Sequence, residues 1–440
     1  MILVNGLILS DPDHPEVLPH GKTEIIGNRL GSVNLPNDLP TGWDGVIDCS
    51  NCLLMPGLIN CHTHAAMSLL RGLADDLNLD RWLNDYIFPA EAQHVDSRFV
   101  YLGTMLSAVE MALNGITTFA DGYFHMEMAA QASIEVGLRA VIGQGILDVP
   151  TPDASVSGSW KERAGRFLAS CPDDPLITPA FFCHSPYLCR PETLRAAAEL
   201  ARNNGLLIFS HVSETTWEVS EIKSRYRSGP VAHLDGLGVL GEDFVAVHAI
   251  HVSDQEQEML CKSGTKVVHC PESNMKLASG AAPIQDMIRR GVTIGIGTDG
   301  PASNNNLDLF EEMRSASFMA KLRSNDPEAL NARTVLRMAT SSGARVLGMA
   351  DRIGSLEPGK LADVIVVDLN RPHLFPMYDP ISDLVYAGRG SDVRDVIVNG
   401  KFVVRSGRLT TVDEEQLKTW VWAKASEISE GLNLKSYGNH

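Results

Sequence analysis

Two imidazoles stand two residues apart in Pro56-Gly57-Leu58-Ile59-Asn60-Cys61-His62-Thr63-His64, just after the apolar run Leu53-Leu54-Met55. In a strand, residues i and i+2 share a face, so both rings can reach one metal ion. His-x-His alone is a weak signal. It gains force because the chain then supplies further ligand-type side chains in order: His184 in Cys183-His184-Ser185-Pro186, His211 in Ser210-His211-Val212-Ser213-Glu214, His248 in Val247-His248-Ala249 and Asp299 in Gly297-Thr298-Asp299-Gly300. Each stands at the exit of a β-branched or aliphatic run.

His62, His64, His211 and Asp299 offer three neutral imidazoles and one carboxylate, a set suited to one zinc ion per subunit, with iron(II) as the runner-up. A divalent ion at an open site lowers the pKa of a bound water toward ~7, so hydroxide becomes available at neutral pH. Glu214 lies three residues past His211, where a strand exit turns into a loop, and is expected to carry protons. His248 is expected to hydrogen bond to the same hydroxide and set its direction of attack. A two-metal site needs a bridging group, usually a carboxylated lysine, and no lysine occurs from Ile177 to Cys189. The combined His-x-Glu and Pro-Cys-x-x-Cys arrangement of the small nucleobase deaminases is also missing.

The elements that must position these groups are legible as alternating short apolar runs and longer amphipathic segments. Strand candidates are the run before His62, then Ile116 to Asp121, Ala140 to Gln144, Ile177 to Phe182, Leu206 to Ser210, Phe244 to Val247, Thr265 to Val268 and Val292 to Ile296. Helical patterns lie between them, such as Pro191 to Asn203 and Ser253 to Lys262. Eight strands with helical crossovers predict an α/β fold, a TIM-like (β/α)8 barrel whose strand C-termini carry the active site. The flanks read as short strands with Gly, Pro and Asn turns, and the two chain ends are expected to pair into one small β domain. The expected divisions are 1–55 plus 353–410 for that domain, 56–352 for the metal-binding barrel, and 411–440 for a C-terminal helix and tail, the helix running from Glu414 to Ser429.

With 440 residues, 44% hydrophobic, the chain can bury a large core. A net charge of −17 argues against nucleic acid or anionic membrane as a partner, leaving a small-molecule substrate. The eight cysteines and the absence of a leader-like start predict a cytoplasmic protein with reduced thiols. Cys49-x-x-Cys52 has no second pair to make a zinc ribbon. Composition leaves a homo-oligomer open.

The more specific passages are Leu70-Arg71-Gly72-Leu73-Ala74-Asp75-Asp76-Leu77, Trp82-Leu83 followed by Pro89-Ala90-Glu91, His184-Ser185-Pro186-Tyr187, Ser273-Asn274-Met275-Lys276-Leu277 and Thr298-Asp299-Gly300-Pro301-Ala302-Ser303-Asn304-Asn305. In these the chain resembles the amidohydrolase superfamily and, within it, the methylthioadenosine/S-adenosylhomocysteine deaminase family. The resemblance implies a distorted barrel with a small β-sandwich formed by both chain ends. It implies zinc at His62, His64, His211 and Asp299, with Glu214, His248 and Asp299 as catalytic groups. Glu91 would bind ribose hydroxyls, His184 a purine ring nitrogen, and Trp82 would wall the pocket against the base, with Glu214 and Asp299 also touching substrate. The implied reaction is hydroxide attack on purine C6, protonation of N1 by Glu214 and departure of ammonia assisted by Asp299. It would convert 5′-methylthioadenosine, S-adenosylhomocysteine, adenosine or 5′-deoxyadenosine to the inosine analogue.

One departure bears on the 5′ substituent. Family members that accept S-adenosylhomocysteine are expected to grip its carboxylate with arginine after the third strand, and Gly143-Gln144-Gly145 has glutamine there. A neutral amide gives one hydrogen bond where arginine gives two charged ones, which favours small 5′ groups unless Arg163 or Lys161 substitutes. The loop from 150 to 160 is either a lid or a solvent loop.

Rival readings are the same chemistry on guanine, a pterin or a triazine, hydrolysis of a cyclic amide, and a silent barrel that binds metal or nucleoside. Glu91 speaks against a free base, the missing bridging lysine against the amide, and Glu214 against the silent barrel. His94, His125, His233 and His373 are read as structural, and neither His251 nor His269 is given a catalytic role. Asp299 as a turn aspartate and Trp82 as a core residue are the plain alternatives for those two.

Overall fold

The computed structural model of the chain describes residues 1–33, 45–156 and 159–432. Part of the expected first β segment (34–44), two positions of the 150–160 loop and the tail from 433 lie outside the described residues.

Eight parallel strands follow one another around a barrel: Leu58–Thr63, Ile116–Tyr123, Arg139–Ile146, Ile177–Cys183, Leu207–Val212, Phe244–His248, Lys266–His269 and Ile294–Ile296, each hydrogen-bonded to the next. All eight sequence-predicted strands are present. The ring is completed beyond the ladder: Asp299 N–H donates to His62 O at 3.0 Å, and Asn60 bonds both the backbone N–H and the hydroxyl of Thr298. Ile59, Cys61, Ala120, Val141, Ala180, Phe182, Phe209, Val245, Val247 and Val268 form a buried cluster of their own, joined by Ala344 and Val346 of the short helix Ser341–Val346. The barrel is therefore a packed core with no through-channel, and function is left to its rim.

The crossover helices form where their end signals stand. Pro191–Asn203 starts with Pro at its first position, and Asp254–Ser263 starts under a Ser253/Glu256 capping box and stops at Gly264, φ 73°. Their apolar faces pack outside the strands in the main hydrophobic core.

Both chain ends build one mixed sheet. Cys52–Pro56 runs antiparallel to Val364–Asp368 and parallel to Ile2–Leu9, and the hairpin Val393–Val398 with Lys401–Arg405 extends the other edge. The apolar run Leu53-Leu54-Met55 therefore belongs to this sheet, and the barrel strand that carries the His-x-His pair begins after Gly57. Side-chain alternation splits the sheet. Leu54, Val364, Val366 and Ile397 enter its own core with Leu3, Ile8 and Ile25, whereas Leu53, Met55, Ile365 and Val367 join the barrel's core. A buried bidentate pair links the two parts, Arg139 Nε and Nη2 donating to Asp363 at 2.9 and 3.1 Å. The last helix, Glu414–Gly431, begins at Asp413, whose carboxylate accepts two backbone N–H groups.

Candidate active site

The first barrel strand loses register with the second between Asn60 and Thr63. This irregularity lets Cys61 join the inner core while His62 aims at the rim, and His64 lies just past the strand, opening the 3-10 turn Ala65–Leu70. His211 comes from the fifth strand, His248 ends the sixth, and Asp299 lies three residues past the eighth. Ser213, His248, Ala249 and Asp299 all have positive φ, 54°, 73°, 46° and 60°. Left-handed backbone at four non-glycine residues along one rim is conformational strain kept where the chain must turn side chains toward a common point.

His62, His64, His211 and Asp299 bring one donor atom each within 4.8 Å of one another. Asp299 Oδ1 lies 3.4 Å from His62 Nε2 and from His64 Nε2, and His64 Nε2 is 3.3 Å from His211 Nε2. Donors ~2.1 Å from one tetrahedral ion stand about 3.4 Å apart, so the spacing fits zinc. The protonation states fit as well. Burial pushes His62 down to about 4 and lowers His64 and His211, which keeps all three neutral. Burial alone would raise the Asp299 carboxyl, but the imidazoles of His62, His248 and His64 outweigh it and hold the group ionised. His62 Nε2 is buried with no hydrogen-bond partner among the described residues, as a nitrogen reserved for a cation would be. His64 Nδ1 bonds Gly122 O at 2.6 Å, leaving Nε2 for the centre.

Around the cage sits a set of supports to which the sequence reading gave no role, although Ser273, Asn274 and Ser303 lie in passages it quoted. Ser273 Oγ donates to Asp299 Oδ2 at 2.7 Å and Ser303 Oγ to the same oxygen at 3.2 Å, while Gly300 N–H bonds Oδ1 at 2.8 Å. Asp299 is thus a turn aspartate and a ligand-type group at once. His248 Nδ1 is 2.9 Å from Asn274 Oδ1, which orients the ring and turns Nε2 toward Glu214 Oε2, 3.8 Å away. Glu214 is buried, its Oε1 is 3.4 Å from Ser279 Oγ, and burial raises its carboxyl, partly offset by His248.

His64, His211, Glu214, His248, Asp299 and Ser303 line one cavity open to solvent, together with Trp82, Glu91, Tyr123, His184 and apolar side chains including Leu83, Ile87, Phe88 and Leu147, and His62 joins it through the ligand cluster. The structure therefore brings every sequence-predicted site residue to one place. Trp82 opens the π-helical turn Trp82–Ile87, and Glu91 sits on the helix that follows, Phe88–His94. Tyr123 was missed. Its hydroxyl donates to Glu91 Oε1 at 2.5 Å, and burial raises the Glu91 carboxyl to about 7 despite that bond. The signal was there: its strand runs two residues past Asp121, so Tyr123 is another strand exit. His184 is half-buried and pushed down to about 3 by desolvation, with Nδ1 3.1 Å from Ser185 Oγ.

Gln144 lies in a neighbouring polar cavity with Asp153, Arg163 and Arg166. Its amide donates to Asp153 Oδ2 at 2.9 Å, and Arg163 Nε stands 3.3 Å from Asp153 Oδ1. Of the four histidines read as structural, His233 stacks on Tyr226 and His373 pairs with Asp392, while His125 lines the cavity that holds Gln144. His251 Nε2 bonds Ser279 O, and His269 is buried and held at about 3.

A parallel barrel whose rim gathers three neutral imidazoles, one ionised carboxylate and a buried glutamate beside them defines a metal-dependent hydrolase. The chain belongs to the amidohydrolase family, whose profile matches residues 53–403. It is 44% identical over 420 residues to a 5-methylthioadenosine/S-adenosylhomocysteine deaminase of Syntrophobacter fumaroxidans, covering 95% of each chain. It is 44% identical to a 5′-deoxyadenosine deaminase of Methanothermobacter thermautotrophicus, over 94% of this chain and 97% of that one. An adenosine deaminase from Xanthomonas campestris, solved with bound zinc, superposes with a TM-score of 0.92 at 36% identity, covering 98% of both chains. Among the described residues no helix is long and apolar enough to cross a membrane.

Proposed function

We propose that this chain is a zinc-dependent deaminase of adenine nucleosides with a small 5′ group, releasing ammonia and the inosine analogue. The observation that carries the reading is Glu91: a buried carboxyl backed by Tyr123 shares one cavity with the metal cage, and a nucleoside brings ribose hydroxyls for it to bind where a free base brings none. The three relatives, all named for adenine nucleosides, support the same substrate class.

A divalent ion held by His62, His64, His211 and Asp299 would supply Lewis acidity and make a water easier to deprotonate. The chain's own groups do the rest. Glu214 takes a proton from the attacking water and passes it to purine N1, which its raised affinity for protons suits. His248 presents Nε2 toward the attacking oxygen, its ring oriented by Asn274. Neutral His184 meets a ring nitrogen, and Trp82 packs flat apolar surface on the base. Asp299, steadied by Ser273 and Ser303, takes the second proton from the added oxygen and passes it to the amino group, which leaves as ammonia while the C6 carbonyl forms. Gln144 and Arg163 are both engaged by Asp153, so the place where an amino acid carboxylate would be gripped is already neutralised, which favours 5′-deoxyadenosine, 5′-methylthioadenosine and adenosine over S-adenosylhomocysteine.

The barrel, 56–352, is read as the catalytic unit, with 1–55 and 353–410 as its supporting sheet. The described cysteines are all free, which supports a reducing, cytoplasmic setting. The test is Glu91→Gln assayed on adenosine and on 2′,3′-dideoxyadenosine. KM should rise for adenosine and hold for the dideoxy compound; an equal change for both would refute the role of Glu91.

A further inference from the structure

The short loop that carries Glu214 is held by a carboxylate with no part in the scheme above. Glu218 is the third residue of the helix Thr216–Tyr226, and its own N–H donates to the hydroxyl of Thr215, the N-cap, at 3.1 Å. A glutamate at this position ordinarily folds back onto the N–H of the cap residue. Glu218 reaches further. One of its oxygens accepts the N–H of Ser213 and the other the N–H of Glu214, each at 2.8 Å, and the residue is 1% exposed.

The loop is pinned from the opposite side as well. Ser213 has φ 54°, a left-handed conformation unfavourable for serine, and its carbonyl accepts the N–H groups of Ile250 and His251 at 3.1 and 2.9 Å. Such a backbone persists where its surroundings over-determine it. The contact made by the Glu214 side chain itself is looser, 3.4 Å to Ser279 Oγ. The direction in which Glu214 leaves the chain is therefore set at its backbone, by Glu218.

We infer that Glu218 is a positioning residue for the proton-carrying step: its two oxygens clamp Ser213 and Glu214 so that the Glu214 carboxylate stays between the attacking water and the ring nitrogen. This rests on the reading of Glu214 as the proton carrier. Glutamine at 218 would turn an NH2 toward one of the two backbone donors, so one bond is lost and the loop relaxes.

The experiment is a double-mutant cycle on the zinc-loaded full chain with 5′-deoxyadenosine. Glu218→Gln should lower kcat by about 10- to 100-fold, the usual cost of losing a group that orients a functional one, with zinc content unchanged. In a Glu214→Gln background the same change should have an effect of no more than about twofold, because residues acting on one step are not additive. Thr215→Ala removes the cap of the same helix without touching either clamped N–H, and should lower the melting temperature while kcat holds. If Glu218→Gln does not fold, Glu218→Asp, which keeps both oxygens at shorter reach, is run through the same cycle and should show the same loss of effect. A variant at 218 that behaves like Thr215→Ala, or whose loss of kcat is undiminished without Glu214, overturns the inference. A fully active Glu214→Gln would instead overturn the proton-carrier reading on which it stands.

Discussion

Replacing Tyr123 with phenylalanine removes one oxygen and nothing else from a buried wall of the pocket. That hydroxyl donates to Glu91 at 2.5 Å, and it is what holds the Glu91 carboxyl down against the burial that raises it to about 7. A hydrogen bond to a charged group contributes about 1.5–3 kcal/mol. At 1.36 kcal/mol per decade, its loss should weaken nucleoside binding by about 10- to 150-fold. The sign with pH follows from the same bond. Without the phenol the carboxyl rises above its present value, so more of it is protonated at neutral pH and unable to accept from two hydroxyls. The defect should be largest near pH 6 to 7 and shrink as pH rises toward 9. The assay is kcat/KM for 5′-deoxyadenosine across that range, with 2′,3′-dideoxyadenosine as the comparison compound that offers Glu91 nothing. A Tyr123→Phe variant that loses equally on both, or shows no pH dependence in its defect, would show that Tyr123 is packing only.

Glu91 also makes a prediction about stability. Its folded pKa lies above the ordinary 4.5, so between about pH 4.5 and 7 the folded protein holds a proton that the unfolded chain has released, and this contribution to stability falls as pH rises. Glu91→Gln should therefore gain in melting temperature relative to the parent as pH goes from 5 to 8, and a constant difference would count against a raised carboxyl. Asp153→Asn should free Arg163 and raise kcat/KM for S-adenosylhomocysteine relative to 5′-deoxyadenosine by about tenfold, the worth of one charge-assisted bond; no change in that ratio would remove the neutralised-arginine argument. Arg139→Ala strands the buried Asp363 carboxylate between barrel and sheet, and should cost about 3–5 kcal/mol in denaturant unfolding. A loss below 1 kcal/mol would mean that water already reaches the pair.

The metal cage was legible from sequence because its four ligands share one rule, a ligand-type side chain at a strand exit, and a barrel puts all such exits on one rim. The strands themselves were legible as apolar runs, and helices such as Pro191–Asn203 by their end signals. What stayed hidden depends on contacts between distant segments. Ser273, Asn274 and Ser279 are ordinary polar residues until folding brings them to Asp299, His248 and Glu214. The Leu53-Leu54-Met55 run looks like a lead-in to the His-x-His strand, yet pairing with Val364–Asp368 claims it for the other sheet. Hydrophobicity marks a strand without naming its partner. Glu91 and Trp82 were found through family resemblance, since a single acid or indole on a helix carries no pattern of its own.

The most direct test of the central claim is ammonia release measured side by side for 5′-deoxyadenosine and guanine, on protein stripped by chelator and on the same protein restored with zinc. The account predicts no release from the stripped protein, recovery with about one zinc per chain because the cage holds a single set of four ligands, and turnover of the nucleoside far above that of the free base. Full activity without metal, or a preference for guanine, would contradict it.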